Sequence, residues 1–168
     1  MIENLTIERA LGFAIETEQI GQEMYQKLAR RHAGDSELRD LFARLAEDEK
    51  LHEAQLRELR KELSRSGTGE LSDEDSEYLR RMSTTEVFYG ISDPLAAVED
   101  GPERQDALKL AHDLEKSTLV YYDAMKDVLG DNEVLERIIA MEKQHLRQVL
   151  KYMMSPDSKM RGVSDEWT

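Results

Sequence analysis

A chain of 168 residues with 35% charged residues, a net charge of −13 and no cysteine is long enough for one domain with a buried core. It excludes disulfides, thiolate metal sites, iron–sulfur clusters and thiol nucleophiles together. Its few basic pairs, such as Arg30-Arg31 and Arg80-Arg81, sit among acids, which argues against nucleic acid and against an anionic membrane surface and makes cations the better guests.

No apolar run approaches the roughly 18 residues of a membrane span, and Met1-Ile2-Glu3-Asn4 has no secretion-signal pattern, so a cytoplasmic protein is expected. Three prolines, nine glycines and an abundance of Glu, Leu, Ala, Arg and Met point to an all-α fold. The first helix is predicted over residues 6–32, ending at Gly34, with Asp35 capping the next. Its inward seam at steps of three and four is Leu11, Ile15, Glu18, Gln22, Tyr25, Ala29, so one acid occupies a position where apolar residues are expected. Gly21, costly inside a helix, marks a close approach by another helix.

The second helix, residues 36–64, has the seam Leu38, Phe42, Leu45, Glu49, His52, Leu56, Leu59, Leu63. Its two polar interruptions form a Glu-x-x-His unit, which projects from one helical face. It is not a zinc-protease motif, because Leu56 stands where that motif needs its second histidine. Residues 65–101 are too many for a tight hairpin between antiparallel helices and read as a crossover along a bundle. Within it Ser66-Gly67-Thr68-Gly69 is a flexible link and Ser72 with Asp75 a capping box for a short helix to about Val87. Asp93-Pro94 opens a further helical turn, while Phe88, Tyr89 and Leu95 are candidates to cover one end of the core, with Tyr89 a candidate gate.

The third helix, residues 102–129, has the seam Leu108, Ala111, Glu115, Thr118, Tyr122, Met125, Leu129, again with one glutamate among core positions. His112 lies one residue off the seam and reads as a supporting or surface residue. Asp131 is expected to cap the fourth helix, residues 132–154, whose seam Leu135, Ile138, Glu142, His145, Val149, Tyr152 carries a second Glu-x-x-His. The bundle is expected to fill residues 1–155, and residues 156–168, with Trp167, to form a polar tail.

The pattern is an internal repeat. Glu18, Gly21 and Tyr25 match Glu115, Thr118 and Tyr122 in spacing, and each set is followed about 30 residues later by its Glu-x-x-His. Counted from the Gly34 turn, Glu18 lies 34 − 18 = 16 residues before and Glu49 lies 49 − 34 = 15 after, so antiparallel packing puts them at one level. Across the second hairpin, Glu115 is 15 residues before Gly130 and His145 is 15 after. Four core carboxylates carry about −4, which two divalent cations cancel and one does not. Carboxylate oxygens with imidazole and no thiolate suit iron or manganese, with zinc a possible substitute. Tyr25 and Tyr122, one to two turns from the acids, read as core aromatics whose hydroxyls could reach a bridging carboxylate or an oxygen intermediate.

These motifs, Glu18-Gln19-Ile20-Gly21 with Tyr25, Glu49-Lys50-Leu51-His52, Glu115-Lys116-Ser117-Thr118 with Tyr122, and Glu142-Lys143-Gln144-His145, resemble those of the rubrerythrins, in the ferritin-like superfamily of four-helix bundles that bind metal pairs. The resemblance covers both hairpins. It implies a ferritin-like antiparallel four-helix bundle with a long crossover between the second and third helices, and two iron ions. Glu49 and Glu142 would bridge them, with Glu18, His52, Glu115 and His145 as terminal ligands. It further implies reduction of hydrogen peroxide or dioxygen with electrons from an external donor protein, or, as the alternative, ferroxidase and iron handling. The chain departs from the family twice: Thr118 stands where a further glutamate is usual, and without cysteine there is no rubredoxin relay. A homodimer is the expected assembly.

Overall fold

The computed structural model describes residues 5–67, 69–82 and 94–155. Four long helices dominate: α1 (Ile7–Arg31), α2 (Ser36–Ser66), then, after the short α3 (Asp73–Met82) and α4 (Pro94–Glu99), α5 (Arg104–Leu129) and α6 (Glu133–Met154). Among the described residues there is no strand, and no helix is long and apolar enough to cross a membrane. The all-α bundle anticipated above is what the chain adopts.

Local chemistry sets the helix ends. Thr6 Oγ1 accepts from the Arg9 N–H at 3.2 Å and Asp35 Oδ1 from the Leu38 N–H at 3.2 Å, each satisfying an amide that has no partner within its helix. α2 runs on to Ser66 because Gly67, at φ 74°, supplies the left-handed residue that closes it. The cap of α6 is Asn132 rather than Asp131: its Oδ1 accepts from Val134 N–H at 3.1 Å and Leu135 N–H at 3.0 Å. Gly130, at φ 73°, turns the chain so that the second of two cap-type residues meets the first helical amides. α5 begins at Arg104, two residues past Pro102, and Arg104 Nη1 meets Asp35 Oδ2 at 2.5 Å, tying its start to the α1–α2 turn.

The two described helices of the connection between the hairpins, α3 and α4, pack at opposite ends of the bundle. Ser72 and Asp75 form the expected capping box, with Ser72 Oγ accepting from the Asp75 N–H at 3.0 Å and donating to Asp75 Oδ2 at 2.7 Å. Leu79 of α3 packs into one apolar cluster, with Leu11, Leu56, Leu59, Tyr122 and Ile138. Val98 of α4 and the neighbouring Leu95 pack into the other, with Met24, Tyr25, Phe42, Leu108 and Val149. α2 therefore ends where α3 begins, and α5 begins at the opposite end beside α4, which makes α2 and α5 parallel. Phe88, Tyr89, the proposed helix end near Val87 and the tail with Trp167 fall outside the described residues. Each fully buried Leu in these clusters contributes on the order of 1.5–3 kcal/mol, so the two apolar ends hold the helices in register around the polar layer between them.

Candidate metal centre

Between the two apolar clusters lie Glu18, Glu49, His52, Glu115, Glu142 and His145, all buried. The six seam interruptions from four helices meet at one level. They form two overlapping groups, Glu18, Glu49, His52 and Glu142 in one and Glu49, Glu115, Glu142 and His145 in the other, with the donor atoms of each group within 4.8 Å of one another. Glu49 and Glu142 belong to both, and the two imidazoles stack with ring centroids 5.5 Å apart.

The orientations favour cations over internal hydrogen bonds. Glu18 Oε2, Glu115 Oε2, both oxygens of Glu142, and Nδ1 of His52 and of His145 are buried without a hydrogen-bond partner. His52 Nδ1 lies 2.8 Å from Glu142 Oε1 and 3.5 Å from Glu18 Oε2, and His145 Nδ1 lies 3.4 Å from Glu142 Oε2 and 3.5 Å from Glu115 Oε2. These approaches lack hydrogen-bond alignment. Buried polar atoms left this way are costly, and a cation within each group satisfies them together.

Proton affinities carry the same strain. Burial, then the charges of Glu18 and Glu142, pushes Glu49 well above the usual carboxylate range. Burial and the Glu142 charge raise Glu115 to about 8. Burial alone would lower both imidazoles, but the close carboxylates of Glu142 and Glu18 lift His52 to about 9, and those of Glu115 and Glu142 lift His145 to about 11. Burial also opposes ionisation of Glu142, yet His145 and His52 overcome it and hold that carboxyl below its ordinary value. Protons thus do for the bare cluster what metal ions do when they bind, and the two compete for the same atoms.

Two tyrosines brace the cluster from outside. Tyr25 OH donates to Glu115 Oε1 at 2.5 Å, and Tyr122 OH donates to Glu18 Oε1. Both hydroxyls are pushed far up by burial and the nearby carboxylates, so they stay protonated and keep the proton they donate to these two glutamates. Their partners are the single glutamates of α5 and α1, not the shared Glu49 and Glu142. Each tyrosine lies seven residues past its own helix's glutamate, and the antiparallel crossing of α1 and α5 carries it to the other helix's acid.

Gly21 has the close neighbour its placement implied. A Cβ there would lie 3.4 Å from Glu49 Cγ and 3.4 Å from Leu114 Cδ2. Thr118, its repeat mate, turns its hydroxyl to its own helix, donating to Leu114 O at 3.0 Å. His112 is half-buried away from the cluster, its Nδ1 3.0 Å from Asp113 Oδ1. One contact escaped the sequence reading: Asp48 Oδ2 lies 3.1 Å from His145 Nε2. Asp48 sits off the α2 seam, and only its place directly before Glu49 hinted at it.

An all-α bundle with a paired carboxylate–histidine cage in its middle defines the ferritin-like class. The rubrerythrin family model matches residues 9–153, so the chain belongs to the rubrerythrin family. Comparisons with curated proteins and with solved structures gave no match.

Proposed function

We propose that this cluster holds two iron ions, with manganese or zinc as substitutes, and that the protein is a di-iron carboxylate redox protein. It reduces hydrogen peroxide, or dioxygen, with electrons from an external donor protein. The observation that carries this reading is the sharing of Glu49 and Glu142 between two donor groups that each add one further glutamate and one histidine. Such sharing suits two ions side by side, with Glu49 and Glu142 as bridges, Glu18 and His52 completing one position and Glu115 and His145 the other.

Bound in the ferrous state, the pair supplies the two electrons that conversion of hydrogen peroxide to water requires. The chain's own groups prepare the site. Tyr25 and Tyr122 each engage one oxygen of Glu115 and Glu18, leaving Oε2 of both aimed inward. The apolar clusters on either side exclude bulk water and keep the carboxylate charges strong at the ions. Loading requires the histidines to give up their protons, so uptake strengthens as pH rises.

Stopped-flow oxidation of the anaerobically reduced, iron-loaded protein tests the activity. The expected result is faster oxidation by hydrogen peroxide than by dioxygen, with iron retained at two per chain. Oxidation by peroxide no faster than by dioxygen, with ferric iron leaving the protein, would establish the ferroxidase and iron-handling alternative instead.

A further inference from the structure

The two histidines of the cluster are held differently. His145 points Nδ1 inward, and its outer Nε2 lies 3.1 Å from Asp48 Oδ2, on the neighbouring helix α2. A carboxylate oxygen only accepts, so His145 donates its Nε2–H outward. That fixes the tautomer with Nδ1 free for a cation. His52 also faces inward through Nδ1, but its Nε2 is buried without a partner. The repeat explains the difference: the residue directly before Glu49 is Asp48, and the residue directly before Glu142 is Met141. A thioether stands on α6 where the matching carboxylate would have to be.

We propose that Asp48 is a positioning residue that makes the two cation positions unequal, so that the Glu115–His145 position is the tighter one and fills first. The inference rests on the metal-centre reading above. Its physical basis is that a carboxylate accepting from the far nitrogen of a ligating imidazole restricts ring rotation, selects the tautomer and raises ligand basicity, and loss of such a partner typically costs 10–100-fold in metal affinity. His52 has no such anchor and must lose ring freedom on binding. Asp48 is well suited to a test, because its side chain is 42% exposed while that of His145 is 3% exposed. Its replacement disturbs the contact without opening the core.

Anaerobic titration of the metal-free protein with cobalt(II), followed by visible absorption and calorimetry, reads the two positions separately. Wild-type protein is expected to fill in two unequal steps. Asp48→Ala should weaken the tighter step by about 10–100-fold, leave the weaker one in place and leave the helical circular dichroism unchanged. The step affected should be the one that Glu115→Ala removes. Asp48→Asn, which keeps an acceptor oxygen, should recover most of the affinity, and Met141→Asp should strengthen the weaker step. The assignment fails if Asp48→Ala leaves both steps unchanged or weakens them equally, or if Asp48→Asn binds as poorly as Asp48→Ala. Cobalt binding that survives in those cases leaves the metal centre standing. Wild-type protein that takes up no cobalt overturns the centre and this assignment with it.

Discussion

The α1–α2 hairpin and the α5–α6 hairpin carry the same three-residue chemistry on different supports. Each contributes one glutamate from its first helix and one Glu-x-x-His from its second, and each sends a tyrosine hydroxyl to the other's single glutamate. Beyond those atoms the likeness stops: Gly21 faces Thr118 in the repeat, Asp48 faces Met141, and Ile15 faces His112. What two cations need from the protein is duplicated, while the surroundings are free to diverge. The twofold pattern is therefore a property of the site, and the sharpest tests are those that break one half, or both, and ask what the other does.

The largest effect is expected where the halves meet. Replacing Glu49 and Glu142 by alanine together removes the two residues common to both donor groups. Metal analysis of that variant should find no stoichiometric iron, manganese or zinc. In wild-type protein a metal at about 100 times its Kd should raise the unfolding free energy by about 2.7 kcal/mol, and in the double variant the melting curve should not respond to metal.

Removing the metal should expose the proton competition next. In the bare cluster Glu115 is raised to about 8, His52 to about 9 and His145 to about 11. A raised folded-state value favours the protonated native form, so its contribution is fully present below the unfolded value and is lost as pH climbs through the folded one. All three have this sign. The metal-free protein should melt at progressively lower temperature from about pH 4.5, where Glu115 ionises in the unfolded chain, up through about pH 9. The metal-loaded protein, whose histidines bind without their protons, should gain affinity over the same range. The gap in melting temperature between the two forms should widen with pH, and a gap that narrows would contradict the assignment of protons and metal to the same atoms.

The tyrosines test the crossing between the halves. Tyr25→Phe leaves Glu115 Oε1 without its donor and Tyr122→Phe does the same for Glu18 Oε1, at a cost of about 1–3 kcal/mol for each buried acceptor left unpaired. In a cobalt titration each variant should weaken the position completed by the other hairpin's glutamate. Tyr25→Phe should act on the Glu115–His145 position and Tyr122→Phe on the Glu18–His52 position.

How much of this was legible in the chain follows from where charge is costly. Glu18, Glu49, His52, Glu115, Glu142 and His145 stood out because each interrupts an apolar seam, and burial of an ionisable group demands compensation. Asp48 interrupts nothing. It looks like any acid on a solvated helix face, and its role depends on α6 coming alongside, which no spacing within α2 reveals. The tyrosines were visible as core residues, yet their partners depended on the relative height of antiparallel helices. Asn132 displaced Asp131 as cap for a local reason: both residues can cap, and the positive φ of Gly130 decides which one meets the first turn.

The smallest effect is expected at Gly21, where the hairpins differ by the presence of a side chain. A Cβ at this position would meet Glu49 Cγ at 3.4 Å, Leu114 Cδ2 at 3.4 Å and Glu49 Cδ at 3.5 Å, which is van der Waals contact without overlap. Alanine is favoured over glycine in a helix interior by about 0.8–1.0 kcal/mol. Gly21→Ala should therefore raise the urea midpoint of the metal-free protein by the equivalent of about 0.5–1 kcal/mol, with two metals still bound per chain. Gly21→Leu has no such room. Its branched side chain must displace Glu49 or Leu114, and because Glu49 is common to both donor groups, the loss of affinity should appear at both positions rather than in one half alone.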